Sequence, residues 1–248
     1  MSRWPRMLLV LGLAAVTAAP AQVGGRSEPY RTNITYDGRF TFLRLRWGSG
    51  SVFSGGMSNA WNHDYPRAEH HFAEILRAVT LIDARTDGGR ILALDDPELF
   101  KYPIAYMWEP GFWRMRDREA ERFREYLLKG GFAIFDDFDG EQWNNFEAQM
   151  RRVLPEGRFV MLDESHRVFD TFFRMTTIYF PDPRLRIRPT YFGIYEDNDP
   201  TKRLMVIANY NADVAEYWEW SGTGLFPFDS SNEAYKLGVN YMVYGLTH

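Results

Sequence analysis

The stretch that decides the fold runs from YPIAYMWEPG (residues 102–111) to KGGFAIFDDFDGEQWNNFEAQMRRVLP (residues 129–155). The first piece is a short apolar run ending in a Glu-Pro-Gly turn. A charged amphipathic segment follows over residues 117–129, with Ala120, Phe123 and Leu127 on one side and Gly130 as its stop. Phe132 to Phe135 is a continuous apolar run, the pattern of a strand covered on both faces. It leads straight into Asp136 and Asp137. In the helix predicted over residues 141–153, Trp143, Phe146, Met150 and Val153 fall at spacings of 3, 4 and 3. Strand, loop, helix, strand, loop, helix is the rhythm of a mainly parallel α/β sheet. Such a sheet gathers ligand chemistry in the loops beyond the carboxyl ends of its strands. The stretch therefore says where a site lies before it says what the site does.

The same reading extends in both directions. Residues 40–47 alternate between apolar and polar and predict a first strand, followed by the loop GSGSVFSGG (48–56) and by NAWNHDY (59–65). A helix is expected from Pro66, where a proline loses no hydrogen bond, with Ala68, Phe72, Ile75 and Val79 on its packed face. ILAL (91–94) reads as a short strand, and Asp95-Asp96-Pro97-Glu98 as helix-start chemistry. Residues 159–162 predict another strand, and residues 164–190 an irregular, proline-bearing stretch. Residues 191–195 and 203–208 predict a C-terminal hairpin, because Asn198-Asp199-Pro200 between them is turn chemistry. A final helix is expected over residues 231–245, capped by Ser231. There is no internal repeat.

Residues 1–21 read as a secretory signal peptide: Arg3 and Arg6 precede the apolar run Met7 to Ala19, and Ala19-Pro20-Ala21 offers a small-residue cleavage site. That run of 13 residues is shorter than the roughly 20 a membrane span needs, so no stable span is expected after cleavage. Residues 22–38 read as a flexible lead-in and 39–248 as a single domain, large enough for its own core. The formal charge of −4 becomes −6 once Arg3 and Arg6 are removed. Mild acidity without basic clusters speaks against nucleic acid as a partner. Cysteine is absent, which excludes disulfides, a thiol nucleophile and a thiolate metal site. Aromatic residues make up 17% of the chain, with eight tryptophans, enough to fill a core and leave rings for stacking on a sugar or peptide.

Four segments taken in order carry a resemblance. YPIAYMWEPG, LLKGGFAIFDDFDGEQWNNFEAQMRRVLP, RLMVIANYNADVAEYWEW and AYKLGVNYMVYGLTH resemble the bacterial family known as domain of unknown function 4159, from Phe40 to His248. That family is similar in turn to the class I glutamine amidotransferase-like superfamily, which includes the ThuA-like (trehalose-utilisation) proteins. The resemblance implies a flavodoxin-like three-layer α/β sandwich and a setting in the bacterial cell envelope, secreted or periplasmic. It does not carry the amidotransferase reaction. Those enzymes hold a cysteine on the sharp turn after the strand that here ends at Met107, where this chain has Trp108-Glu109-Pro110-Gly111.

A doubly wound sheet would gather Glu109, Asp136, Asp137, Asp163, His166 and the stretch from Asn209 to Trp220 on one edge. Glu109, Asp137 and His166 are the catalytic candidates, since carboxylates beside a histidine are the usual kit of acid–base chemistry. Asp136, Asp163, Asn209 and Trp218 are the ligand-binding candidates. Asp136 or Asp137 reads equally well as a cap of the following helix. Asp64 likewise reads as a cap of the helix after it, and if residues 217–220 are extended, Trp218 either joins the core or stacks on a ligand. The histidines His70 and His71 are adjacent, so they cannot chelate together from one helix face. Gly48 and Gly50 lack the third glycine of a dinucleotide fingerprint, and residues 137–141 lack the alternating ligands of a calcium loop. No metal and no cofactor is assigned. Two functions remain: binding, with hydrolysis or isomerisation, of a small polar ligand such as a carbohydrate or envelope glycan fragment, or a non-catalytic module docking an envelope protein.

Overall fold

The computed structural model describes residues 29–48, 57–179 and 187–248. The expected signal peptide and the glycine loop after Gly48 lie outside the described residues. Among these residues eight strands form one sheet: β1 (Arg31–Thr32), β2 (Leu43–Arg46), β3 (Gly88–Ala93), β4 (Ile104–Trp108), β5 (Phe132–Phe138), β6 (Val160–Leu162), β7 (Thr190–Tyr195) and β8 (Leu204–Tyr210), in the spatial order β1-β3-β2-β4-β5-β8-β7-β6. Among the described residues five α-helices accompany them: α1 (Arg67–Val79), α2 (Asp117–Leu128), α3 (Gln142–Val153), α4 (Val214–Glu219) and α5 (Phe228–Thr247).

The strands β3, β2, β4, β5 and β8 run parallel. In order of appearance this is 2-1-3-4-5, the flavodoxin-like arrangement. The sheet is extended beyond β8 by β7 and β6, each antiparallel to its neighbour. One apolar layer packs α1, α4 and α5 on one face, around Phe72, Trp218 and Leu237. The second packs α2 and α3 on the other, around Phe123, Phe135 and Phe146. The chain is thus a three-layer α/β sandwich, and its strand order reverses between β2 and β4. Ligands of such sheets bind outside the carboxyl ends of the strands at that reversal. Among the described residues no helix is long and apolar enough to cross a membrane.

Local chemistry explains most of the elements. All residues of β4 and β5 are buried, as strands covered by helices on both faces require. Asp96 caps the 3-10 turn Pro97–Lys101, its carboxylate accepting from the Glu98 N–H at 2.8 Å. Gly130 ends α2 with a φ of 110°, a conformation open to glycine.

Four local expectations shift. Arg31 and Thr32, inside the stretch read as a lead-in, pair with β3. The packed face of α1 is Ala68, Phe72, Ala73 and Leu76, while Val79 in its last turn is exposed. Helix α5 starts at Phe228, behind Pro227, so Ser231 lies inside it and is not its cap. Residues 217–219 belong to the helix α4 and are not extended.

The layer containing α1, α4 and α5 closes around Gly238. A β-carbon there would stand 2.5 Å from both Phe72 Cε2 and Trp218 Cζ2, two rings already packed at a tilt with 4.4 Å between centroids. Gly238→Ala should therefore cost about 1–3 kcal/mol, the usual penalty for overpacking, read as a lower urea midpoint at unchanged slope. Unchanged stability would mean that α5 sits farther from the two rings.

Candidate functional site

The chain leaves β5 by a distorted route. Pairing with β8 slips between Phe135 and Phe138, and Asp137, in the slip, has a φ of 61°. This bulge turns the Asp137 carboxylate away from helix α3, whose first turn receives no side-chain cap. The carboxylate meets His63 instead: Nδ1 donates to Oδ2 at 2.7 Å. The His63 side chain is 40% exposed and that of Asp137 only 9%, so the pair opens to solvent through the imidazole.

His63 and Asp64 follow β2 through the 3-10 turn Met57–Asn62. Arg44 of β2 fixes this segment from below, donating through Nη1 to the carbonyls of Trp61 and His63 at 2.7 and 2.8 Å. Its Nε pairs with Glu69, and its guanidinium lies 3.5 Å from the Trp108 ring centre. Asp64 does not cap α1 through its side chain. That side chain is fully buried, with Oδ2 accepting from Trp108 Nε1 at 2.9 Å. Oδ1 has no hydrogen-bond partner and stands 3.3 Å from His63 Nδ1.

Glu109 ends β4 beside them, half-buried, with φ 52° and ψ 45°. Its N–H donates to the Asp136 carbonyl at 3.1 Å. Of seven non-glycine residues with positive φ among the described residues, four (Asp64, Glu109, Asp137 and Asn211) lie on this edge. Backbone held in that region costs about 1–3 kcal/mol per residue and concentrates where function needs it. From the other side, α4 adds Glu216, Glu219 and the buried Asp213, which caps the helix by accepting from the Glu216 N–H at 3.1 Å.

The electrostatics follow from this crowding. The hydrogen bond to Asp137 raises the His63 pKa to about 9, with Asp64 and Glu109 adding to it, so the imidazole is a cation at neutral pH. Burial pushes the Asp64 carboxyl up to about 8, and burial raises Asp213 well above the carboxylate range.

The residues expected from the sequence divide into three groups. Glu109 and Asp137 share this edge. Asp136 sits directly behind it, fully buried and committed to structure. Its Oδ2 accepts from Tyr106 OH at 2.7 Å and from the Val214 and Ala215 N–H groups at 3.0 Å, and its Oδ1 accepts from Asn209 Nδ2 at 3.0 Å. It is a cap, but of α4 and not of the helix that follows it. Asn209 is equally enclosed, accepting from Tyr241 OH at 2.9 Å. Trp218 is wholly buried and donates to the Ala234 carbonyl at 3.1 Å, so it has no surface for stacking on a ligand.

His166 and Asp163 lie elsewhere. Leu162 faces Tyr191, which faces Asn209, so the end of β6 is three strand spacings, roughly 14 Å, from β5. His166 Nδ1 accepts from the Val168 N–H at 3.2 Å, and burial pushes its pKa down. Asp163 accepts from the Ser165 N–H at 2.8 Å and lines a separate cavity of ≈ 700 Å³ with Met161, Tyr179 and Arg188. The histidine that the carboxylates do meet is His63. Its signal in the sequence was a His-Asp pair in the loop after the first strand, on the edge where a doubly wound sheet binds ligands.

Fold and edge together define a flavodoxin-like α/β protein with an acidic, histidine-bearing site where its strand order reverses. The chain belongs to the family described as Domain of unknown function (DUF4159), which matches residues 41–246. The comparison with curated proteins gave no match.

Two stability measurements test this description. Asp136→Ala strands four buried donors and should cost about 3–5 kcal/mol in urea denaturation; a loss under about 1 kcal/mol would show that the network does not hold the edge. Asp64 tests the electrostatics. Its folded pKa is raised, from 3.8 to about 8, so its stabilising contribution is complete below pH 3.8 and is lost as pH rises through about 8. In chelator-treated protein, Asp64→Asn should melt with the parent near pH 4 and above it by pH 8 to 9. Equal melting at both ends would place Asp64 in water.

Proposed function

We propose that this chain is an exported, secreted or periplasmic member of the glutamine amidotransferase-like superfamily that binds a small, hydroxyl-rich ligand at the β2–β4–β5 edge. A carbohydrate or envelope glycan fragment is the class we assign. Glu109 and Asp137 hold the ligand and move a proton in its hydrolysis or isomerisation, with His63 in the role first expected of His166. One observation carries the reading: the Asp137 carboxylate is bonded to a half-exposed imidazole at 2.7 Å and not to its own helix. A cap would have turned inward. The strained backbone of Glu109 supports it, since a left-handed glutamate gains nothing as a turn former. The carbohydrate assignment rests on analogy with the ThuA-like proteins.

A non-catalytic docking module is the second reading, favoured by the exposure of Leu225 (58%) and Phe228 (82%) next to α4. A panel of mono- and oligosaccharides and peptidoglycan fragments, scored by thermal shift and then calorimetry, separates the two. At least one ligand should raise the melting temperature. Glu109→Gln and Asp137→Asn should lose that shift, and any turnover, while their unliganded stability stays within about 1 kcal/mol of the parent. If no ligand shifts the parent, or if Glu109→Gln unfolds the protein yet leaves binding intact, the docking module is the better account.

A further inference from the structure

We propose that His63, Asp64 and Asp137 bind one divalent transition-metal cation, such as Zn2+ or Mn2+, which takes the place of the proton His63 Nδ1 now donates to Asp137. This deepens the ligand-site reading above, because it uses the same edge and two of the same side chains. Each of the three residues offers one ligand atom, and the three atoms lie within 4.8 Å of one another. Nδ1 is 2.7 Å from Asp137 Oδ2 and 3.3 Å from Asp64 Oδ1. Ligands around an ion bound at 2.0–2.2 Å stand roughly 3–3.4 Å apart. To admit an ion, Nδ1 and Asp137 Oδ2 need to part by roughly 0.3–0.7 Å, while Nδ1 and Asp64 Oδ1 already stand at such a spacing.

An independent observation points the same way. Asp64 Oδ1 is a buried oxygen with no hydrogen-bond partner, on a side chain with no exposure, and it is aimed at His63. Buried polar atoms are almost always hydrogen-bonded, and a carboxylate oxygen that has only a 3.3 Å contact to an imidazole, beside a second carboxylate, is what an ion would complete. The neighbours are arranged as a second layer. Trp108 Nε1 fixes the other Asp64 oxygen, and Arg44 holds the His63 backbone, so one ligand side chain is oriented and a second is anchored at its main chain before any ion arrives. The surrounding charge suits a cation: Glu109 acts on His63, and Glu216 acts on Asp64. Arg44 is already paired with Glu69.

The donor set selects the ion class. One imidazole and two carboxylates suit Zn2+ or Mn2+, whereas the adjacent group of Asp64, Glu216 and Glu219 is all-oxygen and would prefer Mg2+ or Ca2+. Three protein ligands leave coordination positions open, and the exposed side of His63 is where water or a ligand hydroxyl would enter. Binding releases the Nδ1 proton to solvent, together with the Asp64 proton below about pH 8, and the imidazole keeps the proton on Nε2.

The test uses the chelator-treated full-length protein, titrated with Zn2+, Mn2+, Mg2+ and Ca2+ by calorimetry, and with Co2+ followed by its visible absorption. One Zn2+ or Mn2+ per chain is expected. His63→Ala should weaken binding by at least about 100-fold, more than is lost when a supporting residue of a metal site is removed, and should abolish the Co2+ spectrum. The double variant Glu216→Gln/Glu219→Gln should keep the spectrum. Thermal melts in chelator verify that each variant folds, and His63→Gln replaces His63→Ala if the latter does not. No stoichiometric binding by the parent, or binding that survives at His63→Ala or His63→Gln, overturns the assignment. Saccharide binding is measured separately on the chelated protein. Sugar binding without cation binding drops this inference and keeps the preceding one; cation binding without a sugar ligand does the reverse.

Discussion

The arrangement of this edge depends on one buried carboxylate. Asp136 has no exposure, and its two oxygens take hydrogen bonds from β4 through Tyr106, from β8 through Asn209 and from the first two residues of α4. A charge in that position is tolerated because four donors meet it, two of them backbone N–H groups at a helix start. Burial still lifts its pKa to about 6, which leaves it an anion at neutral pH. Because α4 hangs on this anion, Asp213, Glu216 and Glu219 are fixed relative to β5. The next residue, Asp137, is thereby forced to point elsewhere.

That forced turn links the fold to the chemistry. In a regular strand, Asp136 and Asp137 would face opposite layers, and Asp137 would enter the α2–α3 core. The slip in pairing between Phe135 and Phe138 lifts it out of the ladder, and its N–H finds the Ala212 carbonyl at 3.1 Å. Bulges recur beside functional sites because they re-aim a side chain without unfolding the strand. Arg44 does the matching work on the opposite wall. It is buried, it stacks on Trp108, and it holds two carbonyls of the segment that carries His63. Two rigid supports, one anionic under β5 and one cationic under β2, bring together groups 74 residues apart.

What the sequence revealed follows from the range of each interaction. β4, β5, α2 and α3 were legible because apolar runs and helical periodicity are local signals, and the β7–β8 pair because its turn chemistry is local too. Glu109 was legible because the end of a buried strand is fixed by where its apolar run stops. His63 and Asp64 were not assigned, since nothing near them in the chain announces Asp137; only the 2-1-3-4-5 order puts their loop beside β5. His166 was misplaced for the same reason. A strand-end histidine belongs to the site only if its strand is adjacent, and β6 joins the sheet beyond the antiparallel β7. Helix α4, with 6 residues, is too short to show a period, so the sequence left Trp218 open between the core and a ligand.

The electrostatic cost of the edge argues for use. Asp64, Asp137 and Asp213 are all buried within reach of one another's charge, and burial pushes Asp64 and Asp213 toward the neutral form. A chain with no disulfide to fall back on would lower its free energy by replacing Asp64 with an uncharged residue that still accepts from Trp108. It would gain again by relaxing the left-handed backbone at Asp64, Glu109 and Asp137. Marginal stability leaves little room for three such features in one place without return. Caps and solvated faces do not explain them, because Asp64 and Asp137 send their carboxylates into neither a helix start nor open water. A cationic or hydroxyl-rich ligand at this edge would offset both the charge and the strain, whereas a docking surface around Leu225 and Phe228 would offset neither.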